Sequence, residues 1–290
     1  MRNTSEALIG LNMIRGIPLQ KINLLLKNLA DPFFASYSIL SEIIEPELAD
    51  IICKERKKID IKKEIRKAKE NGIRIITIDE SEYPEALKLI SDPPIVLYIK
   101  GKIIPEDRLS IAIVGSRYSS SYGKNVCEMF SKGLSKLGFT IVSGMARGID
   151  TIAHRACLEA KGRTIAVLGS GLLNIYPQEN MPLFTKICEN GAVISEFPLD
   201  TSPFKDNFPR RNRIITSISL GCVVVEAKER SGALITARLA MESGREVFAV
   251  PGEITKETSK GTNKLIKEGV KPVCDVLDII EEFRHIIEIK

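Results

Sequence analysis

The chain has no tryptophan, only two histidines and only 6% aromatic residues. A histidine-rich metal site or a conventional nucleophile–histidine–acid triad has almost nothing to be built from. The six cysteines, at 53, 127, 157, 188, 222 and 274, include no C-x-x-C pair. That spacing gives neither a disulfide framework nor a zinc knuckle. Several lie in apolar runs such as Ala156-Cys157-Leu158 and Gly221-Cys222-Val223, and they read as small core hydrophobes of a reducing cytoplasm. No apolar run reaches the ~18 residues of a membrane span, so no membrane partner is expected. The opening Met1-Arg2-Asn3-Thr4-Ser5-Glu6 lacks the charged-then-apolar plan of a signal peptide. Charge of one sign is also scarce. With 42 Lys and Arg against 37 Asp and Glu, the net charge is +5, so an electropositive site must come from local clustering.

What is present is a 290-residue chain with 44% hydrophobic and 27% charged residues, enough for about two globular domains. Residues 1–70 read as a small all-helical domain. Leu8, Ile9, Leu11 and Met13-Ile14 form one stripe, and Pro18 suits a first helical position before Ile22, Leu24, Leu25, Leu26 and Leu29. Asp31-Pro32 and Glu45-Pro46 punctuate the run into short helices. The charged stretch from Lys54 to Glu70 is mixed in sign. It reads as a solvated helix face, with a nucleic-acid face as the alternative. A helix-hairpin-helix or SAM-like role would make this domain an accessory, although no glycine-rich hairpin stands out near Gly10 or Gly16.

From residue 71 to 286 the pattern becomes α/β. After two short strands (73–78 and 95–99), continuous apolar runs at 110–115, 139–144, 164–169, 192–195, 222–226 and 247–251 end in turn residues. Helical patterns fall between them at 121–137, 149–160, 181–189, 209–219 and 232–243. Such alternation predicts a doubly wound parallel sheet covered on both faces, an extended Rossmann-like domain. Ligands of such sheets bind beyond the carboxyl ends of the strands. The turns there are Gly115-Ser116-Arg117, then Gly144 to Asp150 with Arg147, then Gly169-Ser170-Gly171. Small residues let backbone N–H groups approach an anion, and Arg117 and Arg147 add fixed charge. Neither the G-x-G-x-x-G spacing nor a G-x-x-x-x-G-K-[ST] string occurs, so no dinucleotide, NTP or other cofactor is indicated.

The segment Phe204-Lys205-Asp206-Asn207-Phe208-Pro209-Arg210-Arg211-Asn212-Arg213 is the most concentrated chemistry in the chain. It carries four cations, one anion and two aromatics in ten residues, with a helix starting near Pro209. Phosphates take the cations, and unpaired bases take flat aromatic faces, so the pattern favours a single strand over a duplex. The alternative is structural: Arg211 and Arg213 pair with carboxylates while Phe204 and Phe208 fill the core. His154, in Ala153-His154-Arg155-Ala156, reads as a hydrogen-bonded structural histidine. Glu226, at a strand's carboxyl end, is either a general base or the partner of a pocket arginine.

These strings resemble one family, DNA processing protein A (DprA, also called Smf). The resemblance runs from Tyr83-Pro84-Glu85-Ala86-Leu87 through Val114-Gly115-Ser116-Arg117, Ser143-Gly144 with Ala146-Arg147-Gly148-Ile149-Asp150, and Tyr176-Pro177. It continues through Phe208-Pro209 with Arg211-Asn212-Arg213, Ser231-Gly232 with Thr236-Ala237, Val250-Pro251-Gly252 and Gly261-Thr262-Asn263. The resemblance implies a cytoplasmic, non-enzymatic protein that binds single-stranded DNA without sequence preference and delivers it to the recombinase RecA in natural transformation. It also implies a homodimer formed through the Rossmann-like domain. The family's DNA pocket maps onto Arg117, Lys205, Phe208, Arg211 and Arg213, and the residue reading adds Gly115, Ser116, Gly144 and Arg147. No catalytic or metal-binding residue is expected.

Two departures stand out. The winged-helix module of many relatives is not expected after Asp278, and the loop before Tyr176-Pro177 lacks the usual acidic residue, so it is assigned no pocket role. The alternative to a carrier is an enzyme on nucleoside phosphates with Glu226 as its base.

Overall fold

The computed structural model describes residues 4–287, so Met1-Arg2-Asn3 of the opening string lies outside them. By internal packing the chain divides into two units. The first runs to Lys100 and takes in Ser170–Asn174 and Ser195–Ser202. The second comprises Gly101–Gly169, Ile175–Ile194 and the chain from Pro203 onward. The expected boundary near residue 70 thus falls inside the first unit, which holds the helices together with the first two strands.

In the first unit, α1 (Thr4–Met13), α2 (Leu19–Asn28), α3 (Tyr37–Ser41), α4 (Pro46–Glu55) and α5 (Ile61–Glu70) are short helices cut by turns. Pro18 is the N-cap of α2, one position earlier than its residue type suggested. Asp60 caps α5, its carboxylate accepting from the Lys63 N–H at 2.9 Å. Leu8, Leu11, Leu25, Leu40 and Ile52 on these helices are almost fully buried. Strands β1 (Arg74–Thr77) and β2 (Val96–Gly101) pair antiparallel, Ile75 opposite Tyr98, and α6 (Glu85–Lys88) lies between them in sequence.

The second unit follows the predicted alternation. Its strands are β3 (Ser110–Val114), β4 (Thr140–Ser143), β5 (Thr164–Val167), β6 (Ala192–Ser195), β7 (Gly221–Val224), β8 (Glu246–Ala249) and β9 (Lys271–Pro272). They lie in the order β6-β5-β4-β3-β7-β8-β9, every pair parallel. The linking helices are α7 (Ser121–Lys136), α8 (Ile149–Glu159), α9 (Met181–Asn190), α10 (Asn207–Ser217), α11 (Gly232–Glu242) and α12 (Glu257–Lys267). The chain closes with α13 (Leu277–Ile280) and α14 (Arg284–Ile287). The core packs Ile111, Ile113, Phe130, Leu134, Phe139, Ile141, Val223 and Phe248 together. Each such side chain stabilises the fold by roughly 1.5–3 kcal/mol relative to exposure. Among the described residues no helix is long and apolar enough to cross a membrane.

Strand order positions the site. From β3 the chain winds outward through β4, β5 and β6, then α10 carries it back to β7 on the other side of β3. The loops after β3 and β7 therefore diverge, and a crevice opens between them at the carboxyl end of the sheet.

The cysteines divide by environment. Cys127, Cys157 and Cys222 are buried, and burial pushes their thiols up to about 12, 11 and 12. They are inert core residues, as expected. Cys53 and Cys188 are half-buried and Cys274 is exposed, so these three depart from the core reading.

Candidate nucleic-acid interface

The crevice is a basin of about 680 Å³. It is lined by Gly115, Ser116, Arg117 and Tyr118 after β3, with Ala146 and Asp150 from the β4–α8 region. Lys205, Phe208, Pro209 and Arg211, from the start of α10, form the side. Lys228, Arg230, Ser231 and Gly232, from the loop that leads into α11, complete the lining.

The β3 turn is rigid by its own hydrogen bonds. The Ser116 hydroxyl donates to the Tyr118 carbonyl at 2.9 Å and accepts from the Tyr118 N–H at 3.1 Å. This turn projects Arg117 and Tyr118 into solvent; Tyr118 is 82% exposed. Ser116 thus shapes the turn with its side chain rather than offering its hydroxyl to a ligand. The Ser116 carbonyl in turn accepts from the Ile149 N–H at 3.1 Å, joining this turn to α8. Gly148, at φ +75°, makes the approach feasible, because a Cβ there would stand 2.2 Å from the Ser116 oxygen.

Phe208 is half-buried and faces the basin, with the Arg117 guanidinium carbon 5.4 Å and the Arg211 carbon 6.0 Å from its ring centroid. Tyr176 meets the same ring at 5.9 Å in a tilted arrangement. Phe204 is 52% exposed. Neither aromatic fills the core, so that half of the structural alternative does not hold.

The two arginines are more deeply set than the sequence pattern implies. Arg211 is 4% exposed; its guanidinium donates to the Gly144 carbonyl at 2.8 Å and to the Val167 carbonyl, and its Nε to Asn212 at 3.0 Å. Burial pulls it down to about 10, against the opposing pull of Asp150, so it remains cationic at neutral pH. Gly144 gives the guanidinium room, since a Cβ there would lie 2.5 Å from it. Asp150 accepts from the Gly144 N–H at 3.2 Å, and its own pKa is raised by burial. Arg211 is therefore a fixed positive charge beneath Phe208. Arg213 is buried on α10 and does not line the basin, and neither does Gly144. Arg147 is exposed outside the basin and makes a two-bonded ion pair with Glu179, Nε to Oε1 at 2.6 Å and Nη2 to Oε2 at 2.8 Å. The structure thus brings Gly115, Ser116, Arg117, Lys205, Phe208 and Arg211 together at one basin.

Glu226 corrects both expectations for it. Its Oε2 accepts from the Ser120 N–H at 2.9 Å and its Oε1 from the Ser120 hydroxyl at 2.5 Å, while the Ser120 oxygen accepts from the Gly123 N–H. The carboxylate anchors the start of α7, where negative charge is favourable, instead of pairing an arginine. His154 is a structural histidine, as expected. The Thr164 hydroxyl donates to the Ile141 carbonyl at 2.7 Å, so it accepts from His154 Nδ1–H at 2.6 Å. Burial holds this imidazole down to about 3, so it is neutral.

The wall formed by Lys228, Arg230 and the start of α11 is not among the sequence-predicted residues. Its residue types are legible in Lys228-Glu229-Arg230-Ser231-Gly232, directly after a strand. Its place in the same basin as Arg117 depends on β7 lying beside β3, a long-range pairing. Asn212 fixes the spacing of α10 and α11 by donating to Thr236 Oγ1 at 2.9 Å.

Comparison with known proteins gives this basin a family. Residues 74–284 match the family DNA recombination-mediator protein A. The chain belongs to that family. It is 46% identical to DNA processing protein DprA of Bacillus subtilis over 216 residues, 74% of this chain and 72% of that protein. It is 46% identical to Protein Smf of Escherichia coli over 211 residues, a stretch covering 72% of this chain but 56% of that one. Among solved structures, DNA processing protein A from Streptococcus pneumoniae superposes with a TM-score of 0.86 at 36% identity, covering 97% of this chain and 99% of that one. DNA processing protein A from Helicobacter pylori, which binds single-stranded DNA, superposes with a TM-score of 0.66 at 30% identity, over 73% of this chain and 96% of that one.

Proposed function

We propose that this chain is a non-enzymatic carrier of single-stranded DNA that binds without sequence preference in the basin. Arg117, Lys205, Lys228 and Arg230 take phosphates, and Phe208 offers its open face to a base. Arg211 stays below the ring, where its fixed charge adds to the field of the basin. The observation that carries this reading is Phe208, an aromatic ring in a crevice that Arg117, Lys205, Arg211, Lys228 and Arg230 also line. Duplex DNA keeps its bases stacked and presents none of them to such a ring, whereas every unpaired base has a face to offer. Lack of sequence preference follows, because phosphate contacts and stacking do not read base edges.

The family and the H. pylori relative support this reading, as does the engagement of Glu226. A hydrolase would need a base, and both oxygens of the strand-end carboxylate suited to that role are held by Ser120. Within the same reading the protein works in the cytoplasm as a homodimer formed through the second unit and hands its DNA to RecA. Gly144, Arg147 and Arg213 support the DNA site indirectly, through the loop and helix they occupy.

The test is fluorescence anisotropy of labelled oligothymidine. If the four basin cations each displace one counterion, log affinity falls against log salt with a slope near −0.7 × 4, about −3. Arg117→Ala weakens binding of every sequence alike. Binding that discriminates strongly between homopolymers, or that ignores Arg117→Ala, sinks the proposal.

A further inference from the structure

The first unit carries a charged surface that the basin does not use. Lys62, Arg66 and Lys69 on α5 are all exposed, and their spacings of four and three residues place them on one helical face. Lys63 and Lys57 are exposed beside them. The opposite face of α5 is buried: Ala68 is 1% exposed, and Glu64, 7% exposed, accepts from the Leu199 N–H at 2.9 Å.

A solvated helix face normally mixes signs, and most of the rest of this unit does so, with exposed Lys27 on α2 apart. Lys21, Lys54, Lys58, Lys67, Arg74 and Lys88 each pair with a carboxylate. Arg56 donates to the carbonyls of Phe33 and Ala35. On the α5 stretch Glu64 is engaged with Leu199 and Asp60 at the helix cap, which leaves exposed Glu70, four residues after Arg66, as a single acid beside five exposed cations. Among the described residues no carboxylate pairs with Lys57, Lys62, Lys63, Arg66 or Lys69. Like charges at these spacings destabilise a helix, so the arrangement is unfavourable until a polyanion neutralises it. The three-residue stripe is about 10 Å long at the helical rise. A membrane-binding helix presents apolar side chains beside its cations, whereas Ile61 and Ile65 of α5 are half-buried.

We propose that the outer face of α5, Lys62, Arg66 and Lys69 with Lys57 and Lys63 beside them, is a second, sequence-independent contact for the phosphodiester backbone of single-stranded DNA. The choice of ligand rests on the function proposed above, while the surface stands on its own geometry. A long strand engages both places, and a strand just long enough for the basin engages only one.

The experiment compares oligothymidines of about 6 and about 40 nucleotides, chosen to bracket typical single-strand site sizes. It uses the full chain and the triple variant Lys62→Gln, Arg66→Gln, Lys69→Gln. For the long strand the variant loses about tenfold in affinity and its salt slope becomes shallower by about 0.7 × 3, or 2. The short strand binds both proteins alike. Lysine acetylation of the wild type, read by mass spectrometry, gives a check that needs no variant: the long strand protects Lys57, Lys62, Lys63 and Lys69, and the short strand does not. An unchanged long-strand slope in the variant, or acetylation indifferent to the long strand, overturns the inference and leaves the basin intact. Long-strand binding that survives Arg117→Ala and is lost in the α5 variant sinks the basin instead. Binding of neither strand by the wild type overturns both. A polyglutamate peptide that outcompetes the long strand at α5 reassigns the surface to an acidic protein partner and overturns the inference too.

Discussion

Replacing Phe208 by Leu removes a π-face while keeping most of the apolar volume beside Gly169, the glycine whose Cβ position lies 2.9 Å from the ring. Stacking of one base on an aromatic side chain contributes about 1–3 kcal/mol, so the variant is expected to lose roughly 5- to 150-fold in affinity for oligothymidine. The upper part of that range is not expected, because the ring is half-buried and already shared with Arg117, Arg211 and Tyr176. A loss of ten- to thirtyfold, about 1.4–2 kcal/mol, is the working figure. Leu also forfeits the cation–π contact with exposed Arg117, at a cost to folding of about 0.5–1 kcal/mol. Urea denaturation therefore shows a small change in midpoint, and anisotropy shows a large change in binding. Phe208→Tyr keeps the face and restores both. If Phe208→Leu binds oligothymidine as tightly as the wild type while the tyrosine variant gives no advantage, the stacking argument is wrong.

Other parts of the structure give independent checks. Lys228→Gln combined with Arg230→Gln should make the salt slope shallower by about 0.7 × 2, or 1.4, as measured by anisotropy titrations at four or more salt concentrations. An unchanged slope would remove the α11 wall from the site. Gly148→Ala places a Cβ at φ +75° and 2.2 Å from the Ser116 oxygen, so it should destabilise by at least 1–3 kcal/mol in chemical denaturation and displace the Arg117 turn. Burial depresses His154 from 6.5 to about 3, so the unfolded chain takes up a proton that the folded chain refuses. That contribution is fully present above about pH 6.5 and is lost as pH falls toward 3, by roughly 1.4 kcal/mol per unit. Denaturation midpoints at pH 7 and 5 should show the loss in the wild type, and His154→Gln should remove that part of the profile.

The strands of the second unit were legible because each is a continuous apolar run ending in small residues, and a sheet buried on both faces leaves that imprint. Strand β9, two residues long, and α12, whose surface is largely charged, leave none. The β3 turn and the Phe208 segment were legible as chemistry because their residues are neighbours in sequence. Two features were not. Whether Arg211 and Arg213 face solvent depends on how α10 packs, and its cations occur on both its exposed and its buried faces. That Lys228 and Arg230 share a basin with Arg117 follows from the return of β7 to the side of β3, which no local pattern specifies. Glu226 shows the same limit: its residue type and strand-end position suit a base, and only the tertiary approach of Ser120 reveals a helix anchor.

The most direct test of the account is anisotropy of one oligothymidine and its matched duplex, titrated with the wild type and with Arg117→Ala at several salt concentrations. The expected result is tight single-strand binding, weak duplex binding, a slope near −3 for a strand that engages the basin alone, and a loss in the variant that is the same for every base composition. Equal affinity for strand and duplex, or full single-strand affinity without Arg117, would contradict it.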